Sequence, residues 1–422
     1  MTAIPEAGRF SGTVSAPTVY DVAIVGGGMA GLALAAALRH SPWRIAVIEA
    51  GSPLPSGEGG EGRAMAWGSI QMLQTLGAWD LIPGAGAIAE IWVSDAGWDW
   101  VTHLRARDLN RSQFGYVVRN RAMQWACQRL IEGSPGIERL YQTQVVDVQC
   151  FQPWAEVTYQ QHGIRKTLRA RLVVGADGAM SQVRTLLGIP YRVDAYAQAC
   201  VVCRIQTALP HRGIAHERFR PWGPLAILPS EDPDWVWVVW TVPVTERERI
   251  GALSDQEYLR AIAPEFGSHL GALLAVSPRL SYVPRRLNCR TYVKDRVVLI
   301  GDAAHTTHPL GGQGLNLGFR DVMVLANLLQ NLSRDRDPAE VGEAYHRQRY
   351  GDVSKVLFAT HFANRLFANR ILPLQWFRRL GLVLIEWIPV LKRFVMIQGM
   401  GIAPEHPTLQ PPLAQLDLHP AK

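Results

Sequence analysis

The segment YDVAIVGGGMAGLALAAALRH, with RIAVIE directly behind it, constrains this chain more than any other stretch. A β-branched run, a glycine turn, an Ala- and Leu-rich helical stretch and a second apolar run follow one another within about 30 residues. That order dictates a β-helix-β unit with parallel strands and a right-handed crossover. Gly26 permits the sharp turn, Gly28 lets a phosphate approach the backbone, and Gly31 lets the helix pack closely on its strand. The amides of the first helical turn then face a pyrophosphate, and the helix dipole adds a modest attraction. Glu49 closes the second strand 18 residues after Gly31, where a carboxylate can accept ribose hydroxyls. With strand, helix, second strand and acid all present, adenine-dinucleotide binding is favoured over a glycine turn that serves packing alone.

Two more apolar runs end on glycine far downstream. ARLVVGADGAMSQVR places Asp177 and Gly178 after a strand, with Ser181 and Arg184 beyond; RVVLIGDAAHTTHPLGGQGLNLGFRDV places Gly301 and Asp302 after another. An open α/β sheet binds ligands at the carboxyl ends of its strands, so three such ends can converge on one cofactor and the nucleotide domain is expected to be discontinuous. The intervening residues read as short strands broken by Pro and Gly. Trp235, Trp237 and Val239 alternate with Val236, Val238 and Trp240, which predicts a sheet with two apolar faces, one towards helices and one towards a ligand, with plain core packing as the competing reading. From Asp335 the pattern turns helical, interrupted by Pro373 and Pro389. The expected organisation is a flexible arm over 1–19 and a first nucleotide-binding part over 20–190 that carries some strands of the second domain. An antiparallel substrate domain follows over 191–290, then the last nucleotide-binding part over 291–335, helices over 336–402 and a tail over 403–422.

A chain of 422 residues, 48% hydrophobic and 19% charged, is long enough for a real core, and its Gly and Pro usage excludes collagen-like or disordered classes. The net charge of +7 suits an acidic ligand or a membrane surface without selecting either. Five cysteines form no disulfide framework, and Cys200 and Cys203, in strand-like sequence without a second such pair, read as core thiols. The N-terminus shows no signal-peptide order and no window holds 18 continuous apolar residues, so a cytoplasmic location is expected. His305 and His308 invite a metal or general-base reading, but no third ligand stands at metal-site spacing; loop hydrogen bonding is preferred, and neither metal nor nucleic acid is expected as a partner.

The three glycine motifs, above all GDAAHTTHPLGGQGLNLGFRD, resemble the flavin signatures of the aromatic-hydroxylase class of flavoprotein monooxygenases. The last is especially similar to the ubiquinone-biosynthesis hydroxylases of the UbiH, UbiF and UbiI types and their eukaryotic counterparts. The resemblance runs from about Tyr20 to Gly401. It implies an α/β fold with a Rossmann-like FAD domain, an inserted antiparallel substrate sheet and a helical C-terminal region. It implies that Gly26, Gly28 and Gly31 hold the FAD pyrophosphate, Glu49 the adenosine ribose, and Arg63 the flavin side. Asn120 would contact FAD at a helix start, Asp177 the second motif's contact with the cofactor or the reducing nucleotide, and Asp302 the ribityl and pyrophosphate region. Pro309, Gly312 and Gly314 would bring backbone against the isoalloxazine, with Leu315 and Asn316 beginning the helix that points at it; Pro309 and Gly312 would position the flavin, and no side-chain base is assigned.

Departures from the family pattern stand at Arg119, where glutamate is more usual, at Gly311 in place of alanine, and at Thr307 in place of a larger apolar residue. The implied chemistry is that of FAD reduced transiently by NADPH or NADH, with a C4a-hydroperoxide transferring oxygen from O2 to an electron-rich, polyprenylated phenol. Alternatives are a halogenase or reductase on the same motifs, a hydroxylase of another hydrophobic aromatic or isoprenoid substrate, and a flavin-containing scaffold subunit of a biosynthetic complex. Residues 361–396 carry Arg365, Arg370, Arg378, Arg379, Lys392 and Arg393 against the single acid Glu386, among many large apolar residues. This is the pattern of a peripheral contact with the inner face of the cytoplasmic membrane, or of docking in a complex or homo-oligomer; closure of the core by a C-terminal helix is the competing reading. Arg378 and Arg379 are expected at the surface.

Overall fold

A computed structural model describes residues 18–369 and 371–411. The expected N-terminal arm up to residue 17, the tail beyond residue 411 and Arg370 lie outside the described residues.

Ten α-helices occur among the described residues: α1 Met29–Leu38, α2 Trp67–Leu76, α3 Asn120–Ile131, α4 Gln182–Leu186, α5 Arg247–Ala252, α6 Asp255–Phe266, α7 Gln313–Gln330, α8 Val341–Phe367, α9 Leu372–Trp387 and α10 Pro389–Met400. The strand Thr18–Val25 pairs in parallel with Ile45–Ile48 on one side and Ile164–Gly175 on the other, and the sheet extends in parallel to Ile137–Leu140 and Val297–Leu299. All three glycine motifs therefore leave adjacent strands at the same sheet edge. Nine of the ten α1 residues are buried, because α1 packs between this sheet, α3 and α7. That is why its sequence is apolar all round rather than striped.

A second sheet of eight strands holds most of the sequence expected to form the substrate domain, in the order Leu273–Val276, Gln198–Thr207, Trp235–Pro243, Leu225–Pro229, Ile214–Phe219, Glu90–Asp95, Val101–Arg105, with Leu280–Tyr282 also on Gln198–Thr207. Its pairs are antiparallel apart from Ile214–Phe219 with Glu90–Asp95. Two of its strands thus come from the first third of the chain. Both faces are apolar: Val236, Val238 and Trp240 pack with α6, while Trp237 joins Ile88, Leu104, Met396 and Met400 on the inner face. Cys200 and Cys203, an odd number of positions apart on one strand, fall on opposite faces. Burial pushes each thiol up to about 11.

Residues 403–411, expected as an extended tail, are held against the body. Ala403 and Leu409 are buried, and Asn327 of α7 both donates to the Thr408 carbonyl and accepts from the Gln410 amide.

Candidate cofactor and active site

Gly26 stands at φ 111°, and a Cβ there would lie 2.4 Å from the Ala176 carbonyl oxygen. At Gly28 the space is open: the nearest atom to a Cβ is 4.0 Å away, and Gly28 leaves the N-terminus of α1 without a side-chain cap. The first-turn amides of α1 therefore face a cradle that the protein does not fill, the requirement for a bound pyrophosphate. Glu49 sits at its lip. Its Oε2 accepts from the Gly27 amide at 2.6 Å and its Oε1 from the Gly51 amide at 2.7 Å, which leaves a lone pair on each oxygen for a hydroxyl donor.

The other two motif ends join this cradle. Asp177 accepts from Ser181 Oγ and from the Gln182 and Val183 amides, so its carboxylate is committed to the start of α4, while its backbone lies under Gly26. Arg184, buried, donates to the Ala303 carbonyl and ties the second motif to the third. Asp302 opens onto the cleft. Crowding by protein raises its carboxyl pKa, against the lowering pull of His305 and Arg63. Its side chain remains exposed. Arg63, on the strand Gly62–Ala66, is therefore close enough to act on Asp302, and it pairs with Glu61 at 2.5 Å. Asn120 begins α3, its amide donating to the Glu61 carbonyl.

The loop from Pro309 to Leu315 keeps accessible surface along its length except at Leu310. Gly311 and Gly312 both adopt positive φ, and a Cβ at Gly312 would press to 2.9 Å from Ala64 Cβ. Gly314 and Leu315 lie in the first turn of α7. Asn316 is buried and its amide is used up: Oδ1 accepts from the Ala66 amide and Ser69 Oγ, and Nδ2 donates to the Ala64 and Gly312 carbonyls. Its side chain welds this loop to the Arg63 strand and has no polar group to spare for a ligand.

The two histidines serve the same frame. His308 Nδ1 accepts from the Leu310 amide, so Nε2 donates to Gln198 Oε1, and burial pushes its pKa down to about 4. The imidazole is held neutral in one tautomer. Gln198 Oε1 also accepts from Asn364 of α8, which joins the loop, the second sheet and the C-terminal helices at one atom. His305 Nε2 lies 2.7 Å from Asp321 Oδ2; Asp321 also accepts from Arg349 Nε at 2.7 Å and the Gly301 amide at 2.8 Å. Sequence reasoning missed Asp321 and Arg349, although the former lies within the quoted third motif. Thr307 bonds Thr360 of α8, and Arg119 pairs with Glu231 in the turn joining Leu225–Pro229 to Trp235–Pro243 of the second sheet, so two of the three departures join separate parts of the chain.

One expectation is corrected. Arg378 is buried, and Arg378 and Arg379 both clamp the fully buried Asp95 carboxylate at 2.8 and 2.9 Å. Lys392 is likewise buried, against Glu386 and Asp108. Arg378 and Arg379 face inward to tie α9 to the second sheet, and Lys392 ties α10 to α9 and to the turn that follows Val101–Arg105. The outward face is apolar instead: Leu372, Trp376, Phe377, Trp387, Val390 and Phe394 are all more than half exposed.

Residues 19–359 match the FAD binding domain family. The chain belongs to the FAD-binding aromatic-hydroxylase family. It is 36% identical over 407 residues to "Ubiquinone hydroxylase UbiL" of Rhodospirillum rubrum, covering 94% of each chain. It is 31% identical to the "3-demethoxyubiquinol 3-hydroxylase" of Escherichia coli, covering 90% of this chain and 98% of that one. Among solved structures, p-nitrophenol 4-monooxygenase PnpA from Pseudomonas putida superposes with a TM-score of 0.75 at 19% identity, over 91% of this chain and 99% of that one. The chain is accordingly a flavin-dependent aromatic-hydroxylase monooxygenase with FAD as its cofactor, and the open cradle at Gly28 fits that group. No helix among the described residues is long and apolar enough to cross a membrane.

Proposed function

We propose that this member of the family hydroxylates the ring of a polyprenylated phenol or quinol in ubiquinone biosynthesis, consuming O2 and NADPH or NADH. The observation that supports this most is the similarity, along nearly the full length, to relatives whose names specify ubiquinone hydroxylation. In this reading Gly26, Gly28 and Gly31 shape the pyrophosphate cradle, Glu49 takes the ribose, and Arg63 and Asp302, close enough to influence one another's charge, flank it. Asn120 contacts the cofactor at the start of α3, and Asp177 acts by fixing the Gly26 turn. Pro309, Gly312, Gly314, Leu315 and the Asn316-welded frame set the wall on which the isoalloxazine rests. When bound, FAD supplies the two-electron chemistry that delivers one atom of O2 to the ring. The protein's part is to orient the ring and exclude water. With a short-tailed prenyl phenol, NAD(P)H oxidation is expected to accelerate and the product to carry one hydroxyl labelled from 18O2. Label drawn from water instead, or product formed without oxygen, overturns the reading.

A prenyl tail partitions into lipid, and the outer face of α9 and α10 supplies a surface to meet it. We infer that this face lies on an anionic bilayer at the inner side of the cytoplasmic membrane. Trp376 and Trp387 stand on α9 as interfacial anchors, and the exposed Arg365 and Arg393 supply cations, while the nearest acid, Glu386, is turned inward onto the His103 amide and Lys392. Sedimentation with vesicles containing phosphatidylglycerol is expected to fall at least tenfold in a Trp376→Glu, Phe377→Glu double variant and to weaken with salt. Absence of wild-type sedimentation, with a dimer or a defined complex in its place, assigns the face to a second copy or a biosynthetic partner.

A further inference from the structure

Among the described residues, the inner face of the second sheet carries one carboxyl group with a buried oxygen that has no partner. Side chains alternate along Ile214–Phe219: His216 faces the outer side and contacts Trp92, whereas Ala215 packs in the inner cluster with Met396 and Met400, and Phe219 stacks on Phe367 of α8. Glu217, between Ala215 and Phe219, therefore projects from the inner face. Its Oε1 is sealed from solvent and hydrogen-bonds to nothing among the described residues.

The register shows what surrounds it. Glu217 stands opposite Val93 on one side and Ala226 on the other, Ala226 opposite Val239, and Val239 opposite Val202. Beyond Val93 the row ends at Thr102, whose hydroxyl donates to the Leu382 carbonyl; between Val93 and Val202 it is apolar apart from Glu217. Val93, Glu217, Ala226 and Val239 keep some exposed surface, as do Ile91 and Leu228 in the row on one side, whereas Asp95, Phe219, Thr241 and Cys200 in the row on the other side are buried. One neighbouring row is pinned where Trp237 packs under Gly62, beside Arg63; farther along the same strands the Gln198 and His308 bond pins the sheet to the flavin loop. Gln198 and Val202 are four residues apart, about 13 Å along a strand. The row lies between two clamps that hold the sheet against the flavin wall, where the aromatic substrate of the proposed reaction must enter.

Among the described residues, the buried charged groups packed on this face are engaged elsewhere, and Arg365 and Arg393 of α8 and α10 are exposed. Asp95 is bound by Arg378 and Arg379, Lys392 by Glu386 and Asp108, and Arg204 by Asp232. Burial alone accordingly pushes the Glu217 carboxyl up to about 7. An apolar side chain here would stabilise the fold; a buried carboxyl without a partner is the kind of local violation found at functional sites.

We propose that Glu217 is a catalytic residue that accepts the hydrogen bond of the substrate's ring hydroxyl and removes its proton as the ring is oxidised. The O–H bond breaks heterolytically, its electron pair remains on the oxygen and feeds into the ring, and the proton passes to the Glu217 carboxylate. The row Ala226, Val239 and Val202 is then the apolar floor beneath the ring. The proposal rests on the phenolic reading of the function.

The test uses FAD-loaded enzyme with 2-prenylphenol and, as a probe lacking the donor, its methyl ether. By titration calorimetry at pH 8 the wild type is expected to bind the phenol at least tenfold more tightly than the ether, and Glu217→Gln and Glu217→Leu to bind the two within about threefold. The kcat/KM of Glu217→Gln is expected to fall about 100-fold with FAD content unchanged, and the acid limb near pH 7 to vanish from its pH profile. A merely structural glutamate predicts the opposite pattern, lost flavin with an unaltered profile. Melting supplies a check independent of turnover. A carboxyl whose folded pKa is raised loses stability as pH climbs from its ordinary range to about 7, so Glu217→Gln is expected to melt no lower than wild type at pH 8. A Glu217→Gln enzyme that keeps both the phenol preference and the acid limb overturns the proposal and leaves the phenolic reading standing. A wild type that binds the ether as tightly as the phenol overturns both, before any variant is made.

Discussion

Asp321→Ala is expected to lower the unfolding free energy by about 3–5 kcal/mol, the usual cost of removing one partner from a buried charge network. Asp321 is fully buried and holds three groups at once: His305, Arg349 and the Gly301 amide. Burial alone would raise its pKa, but His305 and Arg349 more than offset this and hold it below the usual carboxylate range. Its removal leaves the Arg349 guanidinium, 1% exposed, with Asp352 as its one carboxylate partner among the described residues. Because its folded pKa is depressed, Asp321 contributes stability above the ordinary carboxylate range, and that contribution is lost as pH falls through the folded value. Wild type is therefore expected to lose stability on acidification more steeply than the alanine variant. The Gly301 amide is freed as well, so the third motif should loosen and FAD retention fall in parallel. Urea midpoints across pH 4–8 check both points, and a change under about 1 kcal/mol at neutral pH would exclude a stabilising role for the network.

Gly28→Val is expected to abolish FAD retention, by at least 100-fold in affinity, while the apoprotein unfolds at nearly the wild-type temperature. The separation arises because Gly28 has extended backbone that valine accepts, and its Cβ would meet protein only at 4.0 Å. The added side chain enters the space of a ligand, and its Cβ meets no protein atom closer than 4.0 Å. Glu49→Gln is expected to lose only about tenfold, since the glutamine oxygen still accepts one of the Gly27 and Gly51 amides while its NH2 opposes the other. Gly31→Ala supplies the contrast: its Cβ would lie 1.9 Å from the Gly26 carbonyl oxygen, so it should impair folding itself. Comparable flavin content in purified Gly28→Val and Glu49→Gln would remove the phosphate cradle from this turn.

The flavin half of the molecule was legible because its determinants are local. A glycine between a strand and a helix announces a turn wherever it occurs, and three such turns in parallel strands share an edge. The two faces of the second sheet followed from alternation of Trp235 to Trp240 for the same reason. What stayed hidden depends on partners remote in sequence. Arg378 and Arg379 belong to a basic, apolar run that reads as a charged surface, and only folding brings Asp95 beneath them. Glu217 sits in IAHERF beside Arg218, where spacing alone suggests an ordinary surface charge pair; the strand's neighbours decide that it points inward. Asp177 and Asn316 stand at the expected motif positions, yet their side chains are occupied in holding backbone, a use that residue type does not distinguish from ligand binding.

The parallel sheet has a consequence for how the chain is made. Its first strand, Thr18–Val25, has Ile164–Gly175 as its partner, and that strand in turn needs Val297–Leu299. At about 5–20 residues per second, a ribosome takes roughly 15–55 s to pass from the first of these strands to the last. Throughout that interval an apolar strand edge waits without its neighbour, in a topology whose non-local pairings are intrinsically slow to form. The second sheet and α1 to α6 are synthesised within the same interval. The order of synthesis therefore places the greatest risk of misassembly before residue 300, and truncation anywhere upstream of it yields a chain that cannot complete its nucleotide-binding sheet.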